Sequence, residues 1–332
     1  MVDRREFIRV AASAALTPWP VLTWAESETA TQIVVGFPAG GPVDIAARVF
    51  APLLSNRLQE PFEVVNLPGA SGNVATARVA TSKANGRTLL MAGPVNTINA
   101  TLFQNLPFDF AADFAPVAGL YSVPLIAEVH PSVPARSVPD FIGLARARPG
   151  AIRVGYAGVG TPQHIGIEMF NVMAEVSLKL VPYAGSAPAL VDLLAGRLDA
   201  MFDPAPSSID YLRAGRLRPL AVTGKARLEL LPEVPVMSDF VPGYEAGSWF
   251  GLCSPRATSV TRIAEINAAA NAALIDPAVK LRLTELGAQA MPGTSSDFEA
   301  MIGAEIRKYA HIIARAGIPL RAAQSMDAAS RS

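Results

Sequence analysis

The sequence predicts an α/β protein of two lobes, each a mostly parallel sheet flanked by helices, with a ligand cleft between them. Three observations lead there. Short apolar runs alternate with helical patterns twice along the 332 residues, the order expected of parallel sheets covered by helices. Two extended stretches, near residues 122–129 and 244–253, interrupt the alternation and can carry the chain out of one unit and back. Six strands each run into a glycine- or proline-rich loop at a helix start, the place where ligands bind in such folds. The expected division is residues 26–124 with 250–332 in the first lobe and 125–249 in the second.

In the first unit, "TQIVVGF" reads as a buried strand and is followed by a helix from Val43 to Gln59, with Ile45, Val49, Leu53 and Leu54 near a 3.6-residue period. Pro52 inside it predicts a kink or a lost hydrogen bond. "PFEVVNL" and "RTLLMAG" are further strands, with "GNVATARVATSKA" helical between them and "NTINATLFQ" helical after. "FAPVAGLYSVPLIAEVHPS" reads as two extended runs. The second unit follows: helix "VPDFIGLARARPG", strand "IRVGYAG", helix "TPQHIGIEMFNVMAEV", strand "SLKLVPYAG", helix "SAPALVDLLAGR", strand "LDAMFDP", helix "SSIDYLRAGR" and strand "LRPLAVTG". "GYEAGSWFGLCSP" returns the chain, and Thr261–Leu274 and Ser295–Ala316 are helical.

Hydrophobic residues make up 51% and charged residues 17%, a composition that folds around a packed core. The formal net charge is zero and there is no basic run, which argues against nucleic acid or an anionic membrane surface as a partner. The N-terminus carries Arg4 and Arg5, an apolar stretch from Val10 to Leu16, and small residues Thr23 and Ala25. It reads as an export signal spanning residues 1–25, twin-arginine-like with a general secretory signal as the alternative, cleaved near Ala25, so a periplasmic location is expected. The apolar run is shorter than the about 20 residues of a membrane-spanning helix. Cys253 is the single cysteine, so no internal disulfide forms, and its apolar surroundings suit a buried thiol. His130, His164 and His311 are far apart in sequence, and neither a G-x-S-x-G nor an H-E-x-x-H pattern occurs. The expectation is no metal, no cofactor, no catalytic residue, and hence not an enzyme.

The loops are "GFPAGGPVD", "NLPGASGN", "AGPVN", "YAGVGTPQH", "PYAGSAPA" and "MFDPAPSS". Glycine lets a ligand approach the backbone, and a helix start offers free N–H groups with a partial positive charge. None of the six contains lysine or arginine. A nucleotide triphosphate site wants the P-loop lysine, whereas a carboxylate is matched by backbone donors alone. Asp44 stands where it can cap the first helix. Asp203, at a strand end, is either a loop-start hydrogen-bonding group or a cleft group that meets an ammonium or hydroxyl of the ligand.

These same segments, with "NGRTLLMAG", "NLPFDFAADFAPVAGL", "HPSVPARSVPDFIGLARARPG", "IDYLRAGRLRPLAVTG" and "VPGYEAGSWFGL", resemble the Bug-type family, the solute-binding components of tripartite tricarboxylate transporters. The resemblance covers the chain after the leader. It implies a type II periplasmic-binding-protein fold that closes on a carboxylate held by backbone groups and waters. Carried over, the first lobe contributes Phe37, Pro38, Ala39, Gly40, Gly41, Ala70, Ser71 and Gly72. The second contributes Gly158, Gly160, Thr161, His164, Tyr183, Gly185, Ser186, Ala187 and Asp203. Two places depart from the family: Pro42-Val43 stands for the usual Gly-Thr, which removes a hydroxyl donor, and Leu67 and Ser71 stand for an arginine and a glycine.

The expected function is capture of a small organic carboxylate by lobe closure, with delivery to a membrane permease, the protein acting as a monomer. Helix starts of the first lobe would clamp the carboxylate, and Thr161, Ser186 and Asp203 would read the rest. The alternatives are presentation of the same ligand to a membrane sensor, and an exported hydrolase or isomerase using His164 and Asp203.

Overall fold

In the computed structural model, which describes residues 30–322, the first apolar run becomes β1 (Thr31–Val35), buried along its whole length. The expected leader lies outside the described residues. β1 pairs in parallel with β2 (Phe62–Asn66) and β3 (Thr88–Ala92). Helices α1 (Pro42–Leu58) and α2 (Asn73–Ala80) make the crossovers, and α3 (Pro94–Leu102) with the short β4 (Phe103–Gln104) follows. α1 runs through Pro52, which lies on its exposed side. There the carbonyl that Pro52 leaves without a donor faces water, and the helix continues.

The stretch read as two extended runs is one strand, β5 (Phe114–Val129). Its first part, residues 114–124, pairs antiparallel with β10 (Gly247–Pro255). Its last part, residues 125–129, pairs antiparallel with β8 (Ala200–Pro204) and β9 (Arg218–Val222). One strand therefore belongs to both lobes. Around it the second lobe is built from α4 (Val138–Ala147), β6 (Arg153–Tyr156), α5 (Pro162–Met173), β7 (Lys179–Pro182), α6 (Ser186–Leu194) and α7 (Ala205–Arg213). β6 pairs in parallel with β7 and β8. The parallel expectation thus describes β1–β3 and β6–β8, while the strands that link the lobes, β5 and β10, make the sheet mixed.

The chain returns to the first lobe through β10, then α8 (Val260–Leu274), α9 (Pro277–Glu285), β11 (Gln289–Ala290), α10 (Ser295–Arg315) and β12 (Arg321–Ala322). The first lobe's core gathers Ile33, Phe50, Leu89, Tyr121 and Phe250. The Tyr121 ring lies 6.2 Å from Phe50 and 5.1 Å from Phe250, spacing at which aromatic pairs add roughly 1 kcal/mol beyond burial. The second lobe's core gathers Phe141, Val154, Phe170, Phe202 and Tyr244. A further cluster joins the lobes, with Ile98, Leu102, Tyr309 and Ile313 from α3 and α10 meeting Ile165 of α5.

The crossing is held by Thr223, which is fully buried. Its hydroxyl accepts from Leu125 N–H at 2.9 Å and lies 2.8 Å from Leu125 O and 2.7 Å from Ala246 O. Its backbone N–H donates to Leu125 O, and its carbonyl accepts from Ala246 N–H. A threonine at this point ties both crossing segments together and pairs the backbone groups of Leu125 and Ala246 where the chain changes lobes.

Candidate functional site

Five helices begin at one small cavity between the lobes. Its wall is made by Gly41, Pro42 and Val43 at the start of α1, Gly93, Pro94 and Val95 at the start of α3, and Thr161, Pro162 and Gln163 at the start of α5. Ser186 at the start of α6 and Pro204, the residue before α7, complete the ring. Each helix start carries about half a positive charge and N–H groups without an intrahelical partner. Lysine and arginine are absent from the wall, so whatever positive field the cavity has comes from backbone.

Local sequence explains the loop that opens α1. Gly40 has φ +83°, a left-handed conformation that suits glycine. Asp44 accepts from Gly40 N–H at 2.9 Å, from Arg48 at 2.8 Å and from Asn66 Nδ2 at 2.9 Å. Burial opposes its charge, but these hydrogen bonds outweigh it and hold its pKa below the ordinary carboxylate range. Asp44 is therefore the cap of the loop rather than part of the wall.

The lobes are closed on each other, and the cavity has about 30 Å³ of room. Glycines make the approach feasible. A Cβ added to Gly185 would stand 2.9 Å from Pro38, one added to Gly158 would stand 2.9 Å from Ser71 Oγ, and one added to Gly160 would collide with Asn99 Oδ1. Gly40 likewise faces Ala187. The expected residues sort accordingly. Phe37, Gly41, Thr161 and Ser186 line the cavity. Pro38, Gly40, Ser71, Gly158, Gly160, Gly185 and Ala187 form the contact between the lobes. Gly72 packs against the Phe37 ring. Ala39 is exposed and Ala70 half-buried.

The three remaining expected residues also stand away from the wall. His164 stacks on Tyr156 with ring centres 5.1 Å apart and faces Glu168 at 3.9 Å. Burial, aided by Arg321, lowers its pKa to about 4, so it is neutral at pH 7. Tyr183 turns its hydroxyl to Asp192 at 2.7 Å. Asp203 is fully buried beneath the wall, where it accepts from Gln163 Nε2 at 3.0 Å and from Ser207 Oγ. Gln163 Nε2 also donates to Ser186 Oγ at 2.7 Å. Among the described residues, no hydrogen bond joins Asp203 and His164, whose partners include Gln163 and Ser207 on one side and Tyr156 and Glu168 on the other.

Sequence reasoning missed Gln163, Ser248 and the AGPVN helix start as parts of the wall. The last of these was legible, since its loop had been singled out with the other five. Gln163 also lies in a singled-out loop, YAGVGTPQH, but its side chain's direction into the cavity is not set by its place in the sequence.

The chain is similar to known proteins over most of its length. The sequence pattern of the tripartite tricarboxylate transporter family receptor matches residues 46–318. The Bordetella pertussis protein BugT is 32% identical over 294 residues, covering 87% of this chain and 90% of BugT. Among solved structures, R. palustris Rpa4515 with adipate superposes with a TM-score of 0.86 at 35% identity, covering 91% of this chain and all of that one. The periplasmic binding protein BugD gives 0.85 at 26% identity, with 89% and 100% covered. MatC from Rhodopseudomonas palustris with bound malate gives 0.82 at 29%, with 86% and 98% covered.

Proposed function

Because the chain belongs to the tripartite tricarboxylate transporter receptor family, we propose that it is a periplasmic solute-binding protein that closes its two lobes on a small organic carboxylate and hands it to a membrane permease. The observation that carries this reading is the convergence of five helix starts on one small cavity between the lobes whose wall has no basic side chain. Such a wall holds a carboxylate by backbone N–H groups and helix dipoles. No described helix is long and apolar enough to cross a membrane.

Closure turns about the place where β5 passes between lobes, with the described residues up to 124 and from 250 onward moving as one body and 125–249 as the other. Gly41 and the α1 and α3 starts take the carboxylate, and Thr161, Gln163 and Ser186 face the rest of the ligand. Asp203 acts through Gln163 and does not touch the ligand. The protein works as a single chain, without catalysis and without a cofactor. The leader is removed near Ala25.

Thermal melts and calorimetry with adipate and other mono-, di- and tricarboxylates test this. A raised melting temperature and one-to-one binding without product support it, since a ligand of the folded state stabilises by mass action. No response to any carboxylate would overturn it, as would turnover of the bound acid.

Closure itself has a test. Gly160→Ala places a methyl against Asn99 at a residue with φ +84°. The expected result is a wider separation of the lobes by small-angle scattering and adipate affinity reduced about tenfold, from a strain of roughly 1–2 kcal/mol.

A further inference from the structure

The cavity wall also specifies what kind of body the ligand carries. Phe37, Val43, Pro94, Val95 and Phe250 present carbon surfaces to it. Its polar side chains are largely committed to the protein. Thr161 Oγ1 donates to Gly158 O at 2.7 Å and accepts from His164 N–H. Ser186 Oγ accepts from Gln163 Nε2, whose other proton goes to Asp203. Ser248 has the one wall hydroxyl without a hydrogen-bond partner among the described residues. Val43, in the first turn of α1, puts an isopropyl group beside the N–H groups that would hold the carboxylate. A threonine there would be nearly isosteric and would add a hydroxyl.

We propose that the cleft selects carboxylates whose body is hydrocarbon over those whose body carries hydroxyl groups, and that Val43 is a specificity-determining residue for this choice. The proposal rests on the carboxylate-binding reading above and narrows it to a chemical class. A hydroxyl on the ligand body gives up its bonds to water on entering the cavity and finds few free partners. A hydrophobic wall rejects an added hydroxyl by about a hundredfold at most, so discrimination of about ten- to a hundredfold is expected.

The test is calorimetry on the full chain with matched pairs that differ by one hydroxyl: adipate with 3-hydroxyadipate, and succinate with malate. The unhydroxylated member of each pair that binds should be at least tenfold tighter, and Val43→Thr should narrow that ratio to about threefold or less by improving the hydroxylated member. Equal or tighter binding of the hydroxylated member by the unmodified protein would overturn the class preference. An unchanged ratio in Val43→Thr would overturn the role of Val43. Absence of binding by all four acids, and by monocarboxylates and tricarboxylates, would bring down the carboxylate reading itself.

Discussion

Replacing Asp203 with alanine should cut affinity for the carboxylate ligand by a hundredfold or more and lower the melting temperature by several degrees. The aspartate is fully buried and sits at the C-terminal end of β8, beneath the starts of three helices. Gln163 of α5 and Ser207 of α7 donate to it, and Gln163 bonds in turn to Ser186 of α6. Burial raises the Asp203 pKa, and the Ser207, Ser186 and Gln163 groups partly offset that. Removing the carboxylate leaves buried donors unpaired, at about 1–3 kcal/mol each. The larger consequence is loss of aim: Gln163 and Ser186 line the cavity, and both lose the anchor that fixes their rotamers. Ser207 Oγ reaches Asp203 and Pro204 O without lining the cavity itself, so Ser207→Ala should cost about 1 kcal/mol of stability and change affinity far less than Asp203→Ala. Calorimetry and thermal melts on both variants separate the two roles, and an unchanged affinity in Asp203→Ala would remove Asp203 from the site.

Glu128→Gln should make the protein more stable at alkaline pH, by a margin that grows as pH rises. Glu128 lies in β5 with no exposed surface, and neither carboxylate oxygen has a hydrogen-bond partner. Burial first, and repulsion from Asp203 second, push its pKa well above the ordinary 4.5. The Ser208 hydroxyl is near enough to favour the charge slightly but makes no hydrogen bond of sound geometry. The folded protein therefore keeps a proton that the unfolded chain gives up. With a raised folded pKa, the stabilising contribution is complete below about pH 4.5 and fades as pH climbs through the folded value. The slope in that window is up to about 1.4 kcal/mol per pH unit. Glutamine keeps the shape and removes the titration, so the difference in melting temperature between variant and unmodified protein should widen from pH 5 to pH 9. A constant difference would mean that Glu128 is ionised in the fold.

The fold was readable because its strands are apolar runs punctuated by glycine and proline, as in "TQIVVGF" and "RTLLMAG". The continuity of β5 was not, since Pro116 and Pro124 look like breaks in a sequence. α9 was missed because only Val279 and Leu283 of its nine residues are buried, too weak a stripe to register. The site was readable at the level of loops and not of side chains. His164 and Gln163 are neighbours on α5, about 100° apart around the helix. Loop position selects both, and only the third dimension turns Gln163 to the cavity and His164 to Tyr156. The glycines at 158, 160 and 185 were expected beside a ligand, and the structure shows them also where lobe meets lobe. One-dimensional reasoning cannot separate close approach of a ligand from close approach of the protein's own other half.

The partnership of β5 with β10 also sets an order of events during folding. Ser254 meets Ala115 across 139 residues of chain, so the first lobe cannot complete its sheet until almost the whole second lobe has been made. Strands β6, β7 and β8 find one another over far shorter loops, and short closures are entered first. The second lobe should then form early and the first should finish around it, with α10 arriving last to lay Tyr309 and Ile313 against α3 and α5. The cleft draws its wall from both lobes and from Ser248 and Phe250 of β10, so a newly made chain completes it only after β10 has joined β5.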